Sequence, residues 1–132
     1  MSEEASPHVA MVCQALSEFR PGNLEVLDLM HEDIVFHNEG VHRLSGTYRG
    51  RTTVFEFFQS VQDNSGGSYR IEIRNAMALG KTMVAVVARS TARRADQELD
   101  ATAVHIARLA DDRIVEYWVM QTDPDDSALF WD

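Results

Sequence analysis

The residue best placed to do chemistry in this chain is His105. It lies in the run Leu99 to Leu109, where alternation sets Ala101, Ala103, His105 and Ala107 on one side and Thr102, Val104, Ile106 and Arg108 on the other. Three alanines leave room around one imidazole, and room beside a single polar group is what a ligand cavity needs. His105 is thus a candidate for acid–base or hydrogen-bonding work, although the pattern also fits a core or interface histidine with its polar atoms satisfied. Asn38 is the second candidate, sharing one face of the run Ile34 to Asn38 with Phe36 while His37 points away. Its amide can orient a carbonyl or hydroxyl but cannot carry a proton between carbons. His37, His42 and His105 with Glu39 show no metal-ligand spacing, so neither a metal nor a cofactor is expected. Cys13, alone in an apolar helical pattern, reads as a buried thiol rather than a nucleophile.

These side chains need elements to hold them. Ser6 followed by Pro7 resembles a helix start, and Val9, Val12, Cys13, Leu16 and Phe19 continue at helical spacing. Arg20-Pro21-Gly22-Asn23 is a turn, and Leu24, Leu27, Leu29 and Met30 suggest a short second helix to His31. After the small strand and an irregular loop from Glu39 to Ser45 comes LSGTYRGRTTVFEFF, residues 44–58, in which Gly46 and Gly50 bracket a turn. A third helix follows, with Val54, Phe57, Phe58 and Val61 on its buried face, so that Phe58 and Tyr48 are candidates for a ligand wall. Arg49 and Arg51 stand at its N-terminus against the helix dipole, which calls for an ion pair or an anionic contact. Beyond Asn64-Ser65-Gly66-Gly67-Ser68 the period changes to two. Tyr69 to Leu79, Thr82 to Arg94, Leu99 to Leu109 and Ile114 to Thr122 read as four long strands joined by short turns, hence an antiparallel meander. The expectation is an α+β fold, a strongly curled antiparallel sheet closed by three N-terminal helices around a pocket. Phe130 and Trp131, after Asp123-Pro124, should fold back as a lid, a dimer contact or simple docking, since burying both rings is worth a few kcal/mol.

Composition narrows the function. The 132 residues suit one domain spanning 1–132, and 45% hydrophobic content supports a core without disulfide or metal. A net charge of −9 repels nucleic acid and anionic membrane, and no signal peptide or spanning run is visible. A cytoplasmic protein is expected.

The strings LMHEDIVFHN, LSGTYRGRTTVFEFF and VHIARLADDRIVEYW, with DP and FW near the end, resemble the SnoaL-like branch of the nuclear transport factor 2-like superfamily. That superfamily includes ketosteroid isomerases, limonene epoxide hydrolases and polyketide cyclases. The resemblance implies a conical α+β barrel whose pocket lies between the sheet and the helices, dimerised through the outer sheet face. It implies that His105 stands where the isomerases have an oxyanion-stabilising aspartic acid, and that Asn38 stands where they have a proton-shuttling aspartate. It also implies that Trp118 and Met120 face inward as an apolar wall, beside Phe36, Ala103, Ala107 and Trp131. The family's helix-one tyrosine falls near Gln14 or Ala15, and a last-strand carboxylate falls at Met120, so the standard steroid, epoxide and SnoaL-type reactions are not expected. What remains is a small hydrophobic carbonyl-bearing or polycyclic ligand, either acted on by isomerase-, cyclase- or hydratase-type acid–base chemistry through His105 and Asn38, or bound by a non-catalytic dimeric module.

Overall fold

The first helix, α1 (Pro7–Ser17), opens on a proline, whose fixed φ suits a first helical turn, and buries Val12. A computed structural model describes residues 7–17, 24–39, 44–123 and 130–131 of the chain. The expected cap at Ser6, the extension of α1 to Phe19 and the turn at Arg20-Pro21-Gly22-Asn23 fall outside the described residues, as do His42 and the stretch 124–129. Leu24–Leu29 is a 3-10 helix, not the α-helix expected to reach His31, and Met30 and His31 already belong to strand β1 (Met30–Asn38). Six residues next to a β-branched and aromatic run cannot sustain α-helical turns, and a short 3-10 connector is the usual outcome.

Strand β2 (Gly46–Arg49) forms where a turn alone was expected, pairing antiparallel with β1 so that Phe36 faces Tyr48. Gly50 then takes φ +92° and donates its N–H to the Ile34 carbonyl at 2.8 Å, which ties the start of helix α2 (Arg51–Asn64) to β1. Val54, Phe57 and Val61 are buried on α2, as its apolar spacing requires. The ion pair expected of Arg49 or Arg51 is not formed among the described residues.

The remaining strands, β3 (Arg70–Leu79), β4 (Met83–Arg94), β5 (Gln97–Ala110) and β6 (Arg113–Gln121), form the expected antiparallel meander. The full order is β2-β1-β6-β5-β4-β3, and β1 runs parallel to β6, so the sheet is mixed rather than antiparallel throughout. The parallel pair is possible because α2 and four strands intervene between its members, ample length for a crossover. Helix α1 lies against β3 and β4, and α2 against β1 and β2, leaving the concave side of a curved α+β cone between helices and sheet.

One irregularity governs which side chains enter that space. Between the pairs Arg108↔Glu116 and Leu109↔Ile114, β6 advances two residues while β5 advances one, which makes Val115 the extra residue of a β-bulge. Ile114 is buried, and after the bulge so are Tyr117 and Val119, whereas Met120 is 39% exposed. Unbroken alternation from Ile114 would have sent Glu116, Trp118 and Met120 inward. The inward placement expected for Trp118 and Met120 is therefore corrected: both lie on the outer face.

Candidate functional site

The concave face of β5 brings Ala101, Ala103, His105 and Ala107 together, all buried. Register carries the row onward: His105 pairs with Val119, and Val119 with Asn38, so His105 and Asn38 sit two strand spacings, roughly 10 Å, apart on one inner face. Above this row lies a cavity of about 90 Å³. A water needs roughly 10–15 Å³ of such free volume, so the space holds about six waters or one six-membered ring. Helix α1 supplies Val12, Ala15 and Leu16 to its wall and α2 supplies Val54, Phe57, Phe58 and Val61, while Tyr69 and Trp131 close another side. Its polar groups are few: Asn38, Tyr69, His105, Tyr117 and Gln121. No carboxylate lines it among the described residues.

Each polar group has a defined state. Tyr69 shares a 3.0 Å hydrogen bond with Ser90, and its hydroxyl is pushed up in pKa by burial. Asn38 donates through Nδ2 to the Leu44 carbonyl at 3.0 Å, and the Tyr48 hydroxyl donates to the same oxygen at 2.7 Å. Together they pin the chain entering β2. His105 Nδ1 pairs with the Tyr117 hydroxyl at 2.5 Å, and His105 is 4% exposed. Burial lowers the imidazole pKa to about 4 and raises the phenol well above its ordinary value, so both are neutral near pH 7. His105 Nε2 has no hydrogen-bond partner among the described residues. A buried polar atom left unpaired is costly, and the residue that carries this one lines the cavity.

The residues proposed from sequence divide accordingly. His105, Asn38, Phe36, Phe58 and Trp131 all line the cavity. Ala103 and Ala107 share the face of His105 but form the floor beneath the lining. Tyr48 stands behind it, its ring 4.7 Å from Phe57 and 6.0 Å from Phe36. Trp118 stacks on His37 at 5.4 Å on the outer face, where Glu116 also binds His37 and Arg108, each at 2.7 Å. His37 and His105 are thus on opposite faces of the sheet. Cys13 is half-buried rather than buried, with its thiol pKa raised by desolvation.

Tyr117, Val119 and Gln121, which an inward Trp118 and Met120 would turn outward, line the cavity instead, and the Val115 bulge is the reason. Ala15 of α1 lines the cavity, and a phenol reaches it from β6 through Tyr117. An aspartate pair at residues 111 and 112, both with positive φ, marks the tight turn just before the bulge, but nothing in the string DDRIVEYW locates the extra residue.

Comparison with known proteins agrees with this geometry. A family model described as a SnoaL-like domain matches residues 12–117. Among solved structures, Bal32a from a soil-derived mobile gene cassette is similar with a TM-score of 0.91 at 21% identity, covering 95% of this chain and 96% of its own. A protein of unknown function with a cystatin-like fold from Xanthomonas campestris gives 0.86 at 24% identity, covering 94% and 97%. TerC, co-crystallised with polyporic acid, gives 0.80 at 20% identity, covering 96% and 100%. No curated protein matches the sequence significantly.

Proposed function

Because this chain belongs to the SnoaL-like domain family and its cavity holds one unpaired polar atom among mostly apolar walls, we propose that it binds a small hydrophobic molecule carrying a carbonyl-type group. The observation that carries this reading is that His105, a residue of the cavity lining, has a buried Nε2 with no hydrogen-bond partner among the described residues. Apolar walls supply affinity through burial, and the single polar contact supplies orientation. A polycyclic ligand needs more than about 90 Å³ and so requires a wall to move. TerC, similar in fold, was co-crystallised with polyporic acid, which supports a small-molecule reading.

His105 would contact the reacting group of an isomerase- or cyclase-type reaction that needs no cofactor. Asn38 is a weaker participant, because its amide N–H already serves the Leu44 carbonyl. A non-catalytic binding module is the second reading, favoured by a lining that holds no carboxylate among the described residues. We also propose a cytoplasmic location, supported by the free Cys13 thiol, and a homodimer through the outer sheet face. That face carries Ala85, Val87, Val104, Ile106, Trp118 and Met120, none of them fully buried in the single chain.

Ligand-observed NMR with one-ring ketones tests the binding claim. Cyclohexanone and acetophenone should bind wild type saturably, and His105→Ala should weaken binding about tenfold while the circular dichroism spectrum is kept. No saturable binding of any such ketone to wild type would sink the reading. Turnover lost in His105→Ala selects the enzyme; binding without turnover selects the binding module.

A further inference from the structure

His105 and Tyr117 form a closed pair, and hydrogen-bond accounting decides which way round it works. Two arrangements of the neutral groups are possible. In the first, the Tyr117 O–H donates to Nδ1, which places the imidazole proton on Nε2. In the second, Nδ1–H donates to the phenol oxygen, leaving Nε2 a bare lone pair and the Tyr117 hydrogen in need of another acceptor. Tyr117 is 6% exposed, and its hydroxyl has no second partner among the described residues. The first arrangement therefore leaves one buried polar atom unpaired and the second leaves two, a difference of one full desolvation penalty. The phenol O–H is also the stronger acid, and so the better donor, of the two. Tertiary structure holds the pair in place: the rings stand 5.7 Å apart on neighbouring strands, and Tyr117 also packs against Phe36 at 5.6 Å.

We propose that Tyr117 is a positioning residue that fixes His105 as an Nε2–H donor, so that the cavity selects ligands presenting an acceptor oxygen, such as a carbonyl or enolate, over isosteres without one. This deepens the binding reading given above and rests on it. It also limits the chemistry. A histidine held as a donor polarises a carbonyl and stabilises negative charge developing on its oxygen, but it does not remove protons, because its only lone pair is occupied by Tyr117. The other unpaired buried side-chain atom, Gln62 Oε1, lies outside the cavity and offers no competing acceptor site.

Two measurements test the proposal. The first is a two-bond proton–nitrogen correlation spectrum of the ¹⁵N-histidine-labelled protein near neutral pH. His105 should show the pattern of a protonated Nε2, and Tyr117→Phe should turn it toward a mixture of tautomers. A protonated Nδ1 in wild type, or a pattern unchanged in Tyr117→Phe, overturns the proposal. The second compares cyclohexanone with methylenecyclohexane, the same ring with a C=CH₂ in place of C=O. Wild type should favour the ketone by roughly three- to tenfold more than does the double variant His105→Leu/Tyr117→Phe, which removes both polar groups and so leaves neither unpaired. An equal preference in the two proteins overturns the selectivity. If neither compound binds wild type, the binding reading fails and takes the selectivity with it, while the NMR pattern still decides the tautomer.

Discussion

A buried imidazole that resists protonation leaves a signature in stability. In the folded chain His105 has a pKa of about 4, against 6.5 for the free side chain, because burial disfavours the charged form. The folded state therefore binds fewer protons than the unfolded state between those limits. Above pH 6.5 both forms are neutral and the site contributes no pH dependence. As pH falls from 6.5 to 4 the unfolded chain gains a proton that the folded chain refuses, and stability drops by up to about 3 kcal/mol. Urea unfolding at a series of pH values should show that slope in wild type and a flatter one in His105→Leu/Tyr117→Phe. Parallel slopes would mean that His105 is protonated without penalty. The importance of His105 was readable from sequence, since three alanines around one polar residue on a strand already describe a cavity wall. Its partner was not readable. Tyr117 and Trp118 are adjacent aromatics, and alternation alone cannot say which of them turns inward.

Bulges and turns settle such choices at the scale of whole elements. Four strands and two helices were readable because their periods are long and their turns carry glycine or aspartate. Two elements were misread for the same reason: they are short. Leu24–Leu29 has too few residues to show a period, and β2 is four residues defined by its pairing with β1 rather than by its own composition. The string LSGTYRG reads as a turn, and its glycines are genuine turn residues, yet the backbone between them extends and pairs. Gly50 is the pivot. Its φ of +92° and ψ of 145° suit glycine alone, and its amide anchors α2 to β1 through Ile34. A Cβ there would meet no neighbour within 4 Å, so a substitution carries the backbone cost without a steric one. Gly50→Ala should accordingly lower stability by roughly 1–3 kcal/mol in urea titration without changing the fold. A loss under about 0.5 kcal/mol would show that the chain reaches α2 by another backbone path.

For the molecule as a whole, the unanswered surface is the outer face of the sheet. Register sets Val87, Val104 and Met120 in one row across β4, β5 and β6, and Ala85, Ile106 and Trp118 in the next. Charges of both signs border these rows, with Arg89 paired to Asp100 at 2.7 Å and Arg108 to Glu116 at 2.7 Å. A face that carries its own complements suits a two-fold contact with a second copy, in which each patch meets itself in the opposite sense. Four strands spaced at about 4.8 Å, each using about nine residues at about 3.3 Å, offer roughly 600 Å² in projection, the order of what one partner contributes to a stable interface. A net charge of −9 on each chain opposes association, so the apolar rows must supply the attraction. Sedimentation equilibrium at micromolar concentration should then give about twice the 14.9 kDa of one chain, and raised salt should strengthen the dimer by screening the repulsion. Ile106→Glu, which puts a carboxylate in the middle of the apolar rows and away from the cavity, should return the mass to one chain while ketone binding is retained. A single-chain mass for wild type would remove the dimer and leave the cavity reading standing, because Ile106, Trp118 and Met120 lie on the sheet face opposite His105.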